Sequence, residues 1–148
     1  MALAGGCSEP AAGELRTDRD GLAERMHIPT GTSDIRWMAR GVPARRGAAA
    51  SRADARVFAW LAVSPAAHDD LVQTLGDPLP SGVAWMPADV ATTLVSDGQL
   101  RTLAFNERKK SYRLEGERFR PMEMGMRDYH GTTVVLTADH VYVALAAR

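Results

Sequence analysis

The alternation of apolar and polar residues predicts two consecutive strands in the first half of the chain. In residues 33–40, Ile35, Trp37 and Ala39 share one face, and the opposite face is largely basic. This period of two is typical of a strand with one buried face. Residues 57–63 are apolar throughout, which is typical of a strand covered on both sides. The second strand is therefore expected at the centre of a sheet.

The residues that follow carry a full set of helix signals. Ser64 suits the N-cap, Pro65 suits the first helical position, and Gly76 supplies a left-handed stop. An apolar stripe between them is expected to face the sheet: Ala67, Leu71, Val72 and Leu75. A shorter helix is predicted to begin after Thr17 as its N-cap and to end before Pro29.

The second half of the chain is predicted to be mainly β-structure. Residues 77–86 are expected to form a loop, whereas residues 87–95 fit either a short helix or an extended run. Two hairpins are expected to follow, from residues 99–105 with 111–119 and from residues 131–137 with 141–147.

The order of these elements predicts an α+β fold. Short connections between adjacent strands favour an antiparallel or mixed sheet of about five to six strands, with two or three helices packed on one face. We expect a single domain over residues 15–148, preceded by a flexible segment over residues 1–14. A mobile internal loop is expected over residues 41–54, which are rich in Gly, Ala and Arg.

The charge balance gives little support for a polyanionic partner. The chain has 18 Lys plus Arg and 18 Asp plus Glu, so that its net charge is zero, and no nucleic acid is expected as a partner. Arg45, Arg46 and Arg52 in the predicted loop are weak candidates for anion binding. No apolar run approaches the roughly 18 residues of a membrane-spanning helix.

The single cysteine lies in a short N-terminal pattern that bears on location. Leu3-Ala4-Gly5-Gly6-Cys7 resembles the end of a bacterial lipoprotein signal, in which small residues precede a cysteine that is lipidated. The resemblance implies lipid attachment at Cys7 and a place in the bacterial cell envelope, with the membrane as a partner only through that anchor. The basic and apolar regions of a full signal do not fit between Met1 and Cys7. This interpretation needs a signal that starts upstream, and without one the protein is expected in the cytoplasm.

One loop carries candidates for acid/base chemistry. The sequence Asp128-Tyr129-His130 precedes a predicted strand, and loops above a rigid sheet often carry functional residues. A carboxylate, a phenol and an imidazole on one loop can transfer protons. The sequence His68-Asp69-Asp70 is less suited to this role, because consecutive helical residues point about 100° apart.

No motif in the chain indicates a cofactor, a metal or a nucleotide. It lacks the dinucleotide-binding and P-loop glycine patterns, the G-x-S-x-G elbow and the H-E-x-x-H zinc motif. No cofactor and no metal ion are therefore expected. Met122, Met124 and Met126 have the spacing of side chains that pack on a core.

Two functions remain open on this evidence. The favoured one is a nonenzymatic, envelope-associated module that binds an unknown protein or small ligand, with Cys7 as its lipid attachment site. The alternative is a small acid/base or hydrolase-like enzyme that uses Asp128, Tyr129 and His130.

Overall fold

The described part of the chain folds into two antiparallel sheets and four helices. The computed structural model describes residues 13–41, 56–80, 83–121, 124–126 and 128–148. The elements are α1 (Arg19–Ala23), β1 (Thr32–Arg40), β2 (Arg56–Val63), α2 (Pro65–Leu75), β3 (Ala84–Pro87), α3 (Ala88–Leu94), α4 (Asp97–Leu100), β4 (Ala104–Asn106), β5 (Ser111–Leu114), β6 (Glu117–Phe119), β7 (Tyr129–Leu136) and β8 (His140–Ala147). Five strands form a sheet in the order β1-β2-β8-β7-β6, and three form a smaller one in the order β3-β5-β4. The predicted α+β class is confirmed.

Strand β2 lies inside the larger sheet and is buried on both sides. Val57, Ala59 and Leu61 point to what we call the first face, and Phe58 and Trp60 point to the second face. None of these five side chains is more than 5% exposed. Strands β1 and β8 pair with β2 on its two edges. The prediction of an inner strand covered on both sides is confirmed, although β2 is second in the order and β8 is the middle strand.

The helices divide between the two faces, whereas the sequence led us to expect them on one face. Helix α2 packs through Ala67, Leu71 and Leu75 on the first face. Helix α3 packs through Val90 and Leu94 on the second face, together with the smaller sheet. The physical reason is that β2 is apolar on both sides, so that each face needs its own cover to exclude water.

The segment before α1 covers the outer edge of β1. The backbone N–H of Gly13 donates to the carbonyl of Ala39 at 2.8 Å, and Arg16 and Trp37 exchange backbone hydrogen bonds of 2.7 and 2.9 Å. The guanidinium carbons of Arg16 and Arg25 lie 4.0 and 5.2 Å from the centre of the Trp37 ring. Gly13 falls within the segment predicted to be flexible, and its hydrogen bond attaches it to the sheet.

Helix α1 begins one residue later than predicted. Asp18, rather than Thr17, is the N-cap, and its Oδ2 accepts a hydrogen bond from the N–H of Gly21 at 3.1 Å. A carboxylate at this position gains from the positive end of the helix dipole, which a hydroxyl does not.

Helix α4 and strand β3 lie where other structures were predicted. Residues 99–105 were expected to form a strand, but Ser96 caps a short helix at their start by accepting from the N–H of Gln99 at 3.4 Å. Only the end of that range lies in a strand, β4, which pairs antiparallel with β5 as the first predicted hairpin requires. The loop expected over residues 77–86 ends in β3, which pairs with β5. Residues 87–95 fitted either a short helix or an extended run, and residues 88–94 form the helix α3.

The strand predicted over residues 111–119 is divided into β5 and β6, which belong to different sheets. The division lies near Gly116, where a Cβ atom would come within 2.4 Å of the carbonyl oxygen of Leu136. The close backbone approach therefore requires glycine. The second predicted hairpin is confirmed as β7 and β8.

The turn between β4 and β5 contains a residue with a strained backbone, and a substitution there tests the conformation of the turn. Lys110 has a φ of 51°, a left-handed conformation that is unfavourable for a residue with a Cβ atom. We expect Lys110→Gly to raise the free energy of unfolding by about 0.5–1 kcal/mol, as measured by urea denaturation. Lys109→Gly is the matched control, because Lys109 does not have a positive φ. A gain of the same size in the control would contradict this explanation.

Candidate functional site

A groove lies beside α2 on the first face of the sheet, with a volume of about 660 Å³. This volume is within the range of roughly 300–1,000 Å³ that is usual for small-molecule sites. We call this feature the α2 groove. One wall is a side of the helix, formed by Ala67, Asp70, Leu71, Gln73 and Thr74. The other wall is the segment of His27, Ile28, Pro29 and Thr30, with Met124 beside it.

The helical wall follows from local sequence. Ala67, Leu71 and Thr74 are spaced by four and three residues, which places them on one side of a helix. The predicted cap is confirmed, since the Oγ of Ser64 accepts from the N–H of Ala67 at 3.1 Å. The predicted stop is also confirmed, with Gly76 at a φ of 77°. The length and orientation of this wall were therefore predictable.

The opposite wall is held by contacts between distant parts of the chain. The N–H of His27 donates to the carbonyl of Met124 at 2.9 Å, and the Oγ of Thr32 donates to the carbonyl of Pro29 at 2.7 Å. Gly31 has a φ of 87°, and a Cβ atom there would lie 2.8 Å from the Cβ of Ala67. Glycine at this position allows the wall to approach the helix closely.

The α2 groove combines an apolar floor with a polar rim. Ala67, Leu71 and Met124 are buried, whereas Asp70 is exposed and is the one carboxylate among the described residues that line the groove. Within the described residues, no hydrogen bond or ion pair joins His27 to Asp70. The groove therefore suits binding through apolar contacts and a few hydrogen bonds, and it contains no coupled acid and base.

The loop proposed from sequence for acid/base chemistry is not assembled as a site. Tyr129 is 5% exposed and packs in the core of the first face, with the guanidinium carbon of Arg25 5.9 Å from its ring centre. Asp128 and His130 are exposed. Tyr129 and His130 are consecutive in β7, so their side chains point to opposite sides of the sheet. The structure does not bring the phenol and the imidazole together.

The other residues singled out from sequence are dispersed. His68 is half-buried, with its Nδ1 3.8 Å from Oδ1 of Asp69, and neither lines the α2 groove. Several candidates lie outside the described residues: Cys7, Arg45, Arg46, Arg52 and Met122. No three or more His, Cys, Asp or Glu side chains in the described ranges are grouped so as to hold a metal ion.

Sequence reasoning missed a histidine that is held firmly on the second face. The ring of His140 stacks on Trp60, with centres 4.4 Å apart and planes 10° apart, and its Nδ1 lies 2.8 Å from Oδ1 of Asp139. His140 is 9% exposed. The signal that could have found it was weak, because Trp60 and His140 lie in two strands, β2 and β8, that are far apart in the sequence. The stacking on Trp60 and the contact with Asp139 together orient the imidazole at the edge of the second face.

A buried phenol lies on the same face. Tyr142 is 2% exposed, and this burial raises the pKa of its phenol well above the usual range. Arg40 opposes the rise and Asp89 adds to it, while Arg40 and Asp89 are themselves joined in an ion pair. The phenol therefore stays protonated, and it cannot serve as a base.

Comparison of the chain with protein-family models, with curated proteins and with solved structures finds no match. None of the helices in the described ranges has the length and apolar character needed to cross a bilayer.

The closeness of the two groove walls can be tested at Gly31. We expect Gly31→Ala to lower the free energy of unfolding by about 2 kcal/mol or more, because the new methyl group meets Ala67 and the backbone is left-handed. Gly98→Ala is the control, since nothing lies within 4 Å of its added Cβ. Chemical denaturation of both variants measures the difference, and equal stability would show that the wall is not constrained in this way.

Proposed function

We propose that this chain is a noncatalytic binding module that takes a small ligand, or a side chain of a partner protein, in the α2 groove. The observation that carries the proposal is the lining of that groove, with a buried apolar floor and an exposed rim of polar groups. A concave apolar site with a few polar groups is the usual form of a ligand pocket.

The chemistry of the groove favours binding over catalysis. A general base must lie within hydrogen-bond reach of the group that it serves, and a partner usually orients it. The groove offers Asp70 on the helix and His27 on the opposite wall, without a bond between them in the described structure. The ligand favoured by this lining has an apolar body and hydrogen-bonding groups at its margin.

A pair of matched variants on α2 tests the site. Thr74 lines the groove, whereas Val72 is 41% exposed and lies outside the lining. We expect Thr74→Trp to fill the groove and abolish the binding of small apolar fragments, detected as chemical-shift changes in an NMR screen. Val72→Trp should bind the same fragments as the unmodified chain. Fragments that fail to shift groove residues, or that bind equally to Thr74→Trp, would overturn the proposed site.

We further propose that the module works at a bacterial membrane, attached through a lipid on Cys7. The support is the resemblance of residues 3–7 to the end of a lipoprotein signal. A single acyl chain gives only reversible membrane binding, and stable attachment usually needs a second anchoring signal.

Labelling with a fatty acid tests the anchor directly. The gene should be expressed from its natural genomic start in its own host, so that any upstream signal is present. We expect the unmodified protein to take up labelled palmitate and to sediment with membranes, and Cys7→Ala to do neither. Ser8→Ala, a neighbouring change that leaves the thiol in place, should behave as the unmodified protein. An unlabelled, soluble protein from the natural start would contradict the anchor and leave the groove proposal unaffected.

A further inference from the structure

Several arginines are paired with carboxylates, whereas one group of basic residues is not. Arg16, Arg36 and Arg40 beside the larger sheet each pair with an aspartate, at 3.4 Å for Arg16 with Asp18 and for Arg36 with Asp34, and Arg113 of β5 lies 4.0 Å from Glu115. Around the smaller sheet, four exposed basic residues have no ion pair within 4.0 Å among the described residues: Arg101, Arg108, Lys109 and Lys110.

The excess of positive charge is local. Residues 97–113 contain five basic and two acidic side chains, a net charge of +3 in a chain whose total is zero. Four of these basic residues lie within the ten positions 101–110, which run from the end of α4 through β4 and its turn. We call this segment the β4 edge. Its field attracts anionic groups over about one Debye length, roughly 8–10 Å at moderate salt.

An exposed aromatic residue lies in the middle of the β4 edge. Phe105 is 44% exposed, and its ring packs against Tyr112 with centres 5.0 Å apart and planes tilted by 55°. One side of the ring is therefore fixed while much of the rest faces solvent. Aromatic residues that are held in this way make effective anchors for a partner, because little side-chain entropy is lost on binding.

Strand β4 also has a free edge. It is a terminal strand of its sheet and pairs only with β5. Within the described ranges, its residues form no backbone hydrogen bonds other than those to β5. The outward N–H and C=O groups of a terminal strand can pair with another extended chain.

We propose that the β4 edge binds an acidic, extended segment of a partner protein by strand addition. The segment would continue the smaller sheet beyond β4, place its carboxylates near Arg101 and Arg108, and rest an apolar side chain on Phe105.

Two other partners are disfavoured. A second copy of the same basic edge is disfavoured because like charges would face one another across the new pair of strands. A nucleic acid is disfavoured because successive bases stack on several exposed aromatic rings. Phe105 is a single exposed ring, and the nearby ring of Trp85 is covered by Lys109, whose Nζ lies 5.4 Å from the ring centre.

Binding of a short synthetic peptide to the full chain tests the proposal. The probe is a fluorescently labelled peptide of about eight residues in which glutamate and valine alternate, the pattern of a strand with one acidic face. We expect it to bind at least about ten-fold more tightly than a peptide of alternating lysine and valine, measured by fluorescence polarisation, with an affinity that falls as salt rises.

Three comparisons separate strand addition from general charge attraction. Arg101→Glu combined with Arg108→Glu should weaken binding about ten-fold or more, whereas Arg56→Glu combined with Arg120→Glu, the same change in net charge elsewhere, should have little effect. Phe105→Ala should weaken binding without altering its salt dependence. A peptide methylated at alternate backbone nitrogens keeps its charge but loses donors for the ladder, and it should bind poorly.

Several results would overturn the proposal. Equal binding of the methylated peptide would show attraction without strand pairing. Equal weakening by the two double variants would show an effect of net charge alone. Tighter binding of oligothymidylate, or of phosphatidylcholine vesicles containing phosphatidylglycerol, would assign the β4 edge to a nucleic acid or to a lipid surface instead. Each of these binding measurements is made without a ligand in the α2 groove, so the result does not depend on the function proposed for that groove.

Discussion

The rest of the structure depends on the burial of β2 on both of its sides. Each fully buried aliphatic or aromatic side chain contributes about 1.5–3 kcal/mol to folding, and this strand has them in alternation on two faces. Neither α2 nor the smaller sheet alone can exclude water from both. The chain therefore covers the first face with α1, α2 and their connections, and the second face with α3 and β3-β5-β4. One five-stranded layer separates two cores.

The two proposed sites follow from this arrangement. The cover on the first face leaves the α2 groove where a helix meets an irregular segment, at the close contact between Gly31 and Ala67. The cover on the second face ends in β4, which extends past the core and leaves Phe105 exposed. The sites lie on opposite sides of the larger sheet, so that occupants of the two would not compete for the same space. Charge distinguishes them as well, since the groove has Asp70 and the β4 edge has cations with no ion pair among the described residues.

Much of the fold was predictable where the signal was local. The apolar run of β2, the cap at Ser64 and the stop at Gly76 each depend on neighbouring residues, and each was predicted correctly. The prediction was correct only in part for residues 97–119, where four short elements follow one another: the pairing of β4 with β5 was predicted, but α4 was not, and a close backbone approach at Gly116 divides β5 from β6. Strand propensity in that segment was overridden by tertiary contacts. For the candidate site, the helical wall was predictable, but the opposite wall was not.

The sequence by itself determined the α+β class, the inner strand β2, the helix that follows it and the final hairpin, because periodicity, caps and turns act over a few residues. The tertiary structure decided which face each helix covers, which described residues form the α2 groove, and which cations have no ion pair within the described part of the chain. These features depend on contacts between distant parts of the chain, such as His27 with Met124 and Trp60 with His140. No short-range pattern encodes those contacts, since each joins residues that are about 80 or more positions apart in the sequence.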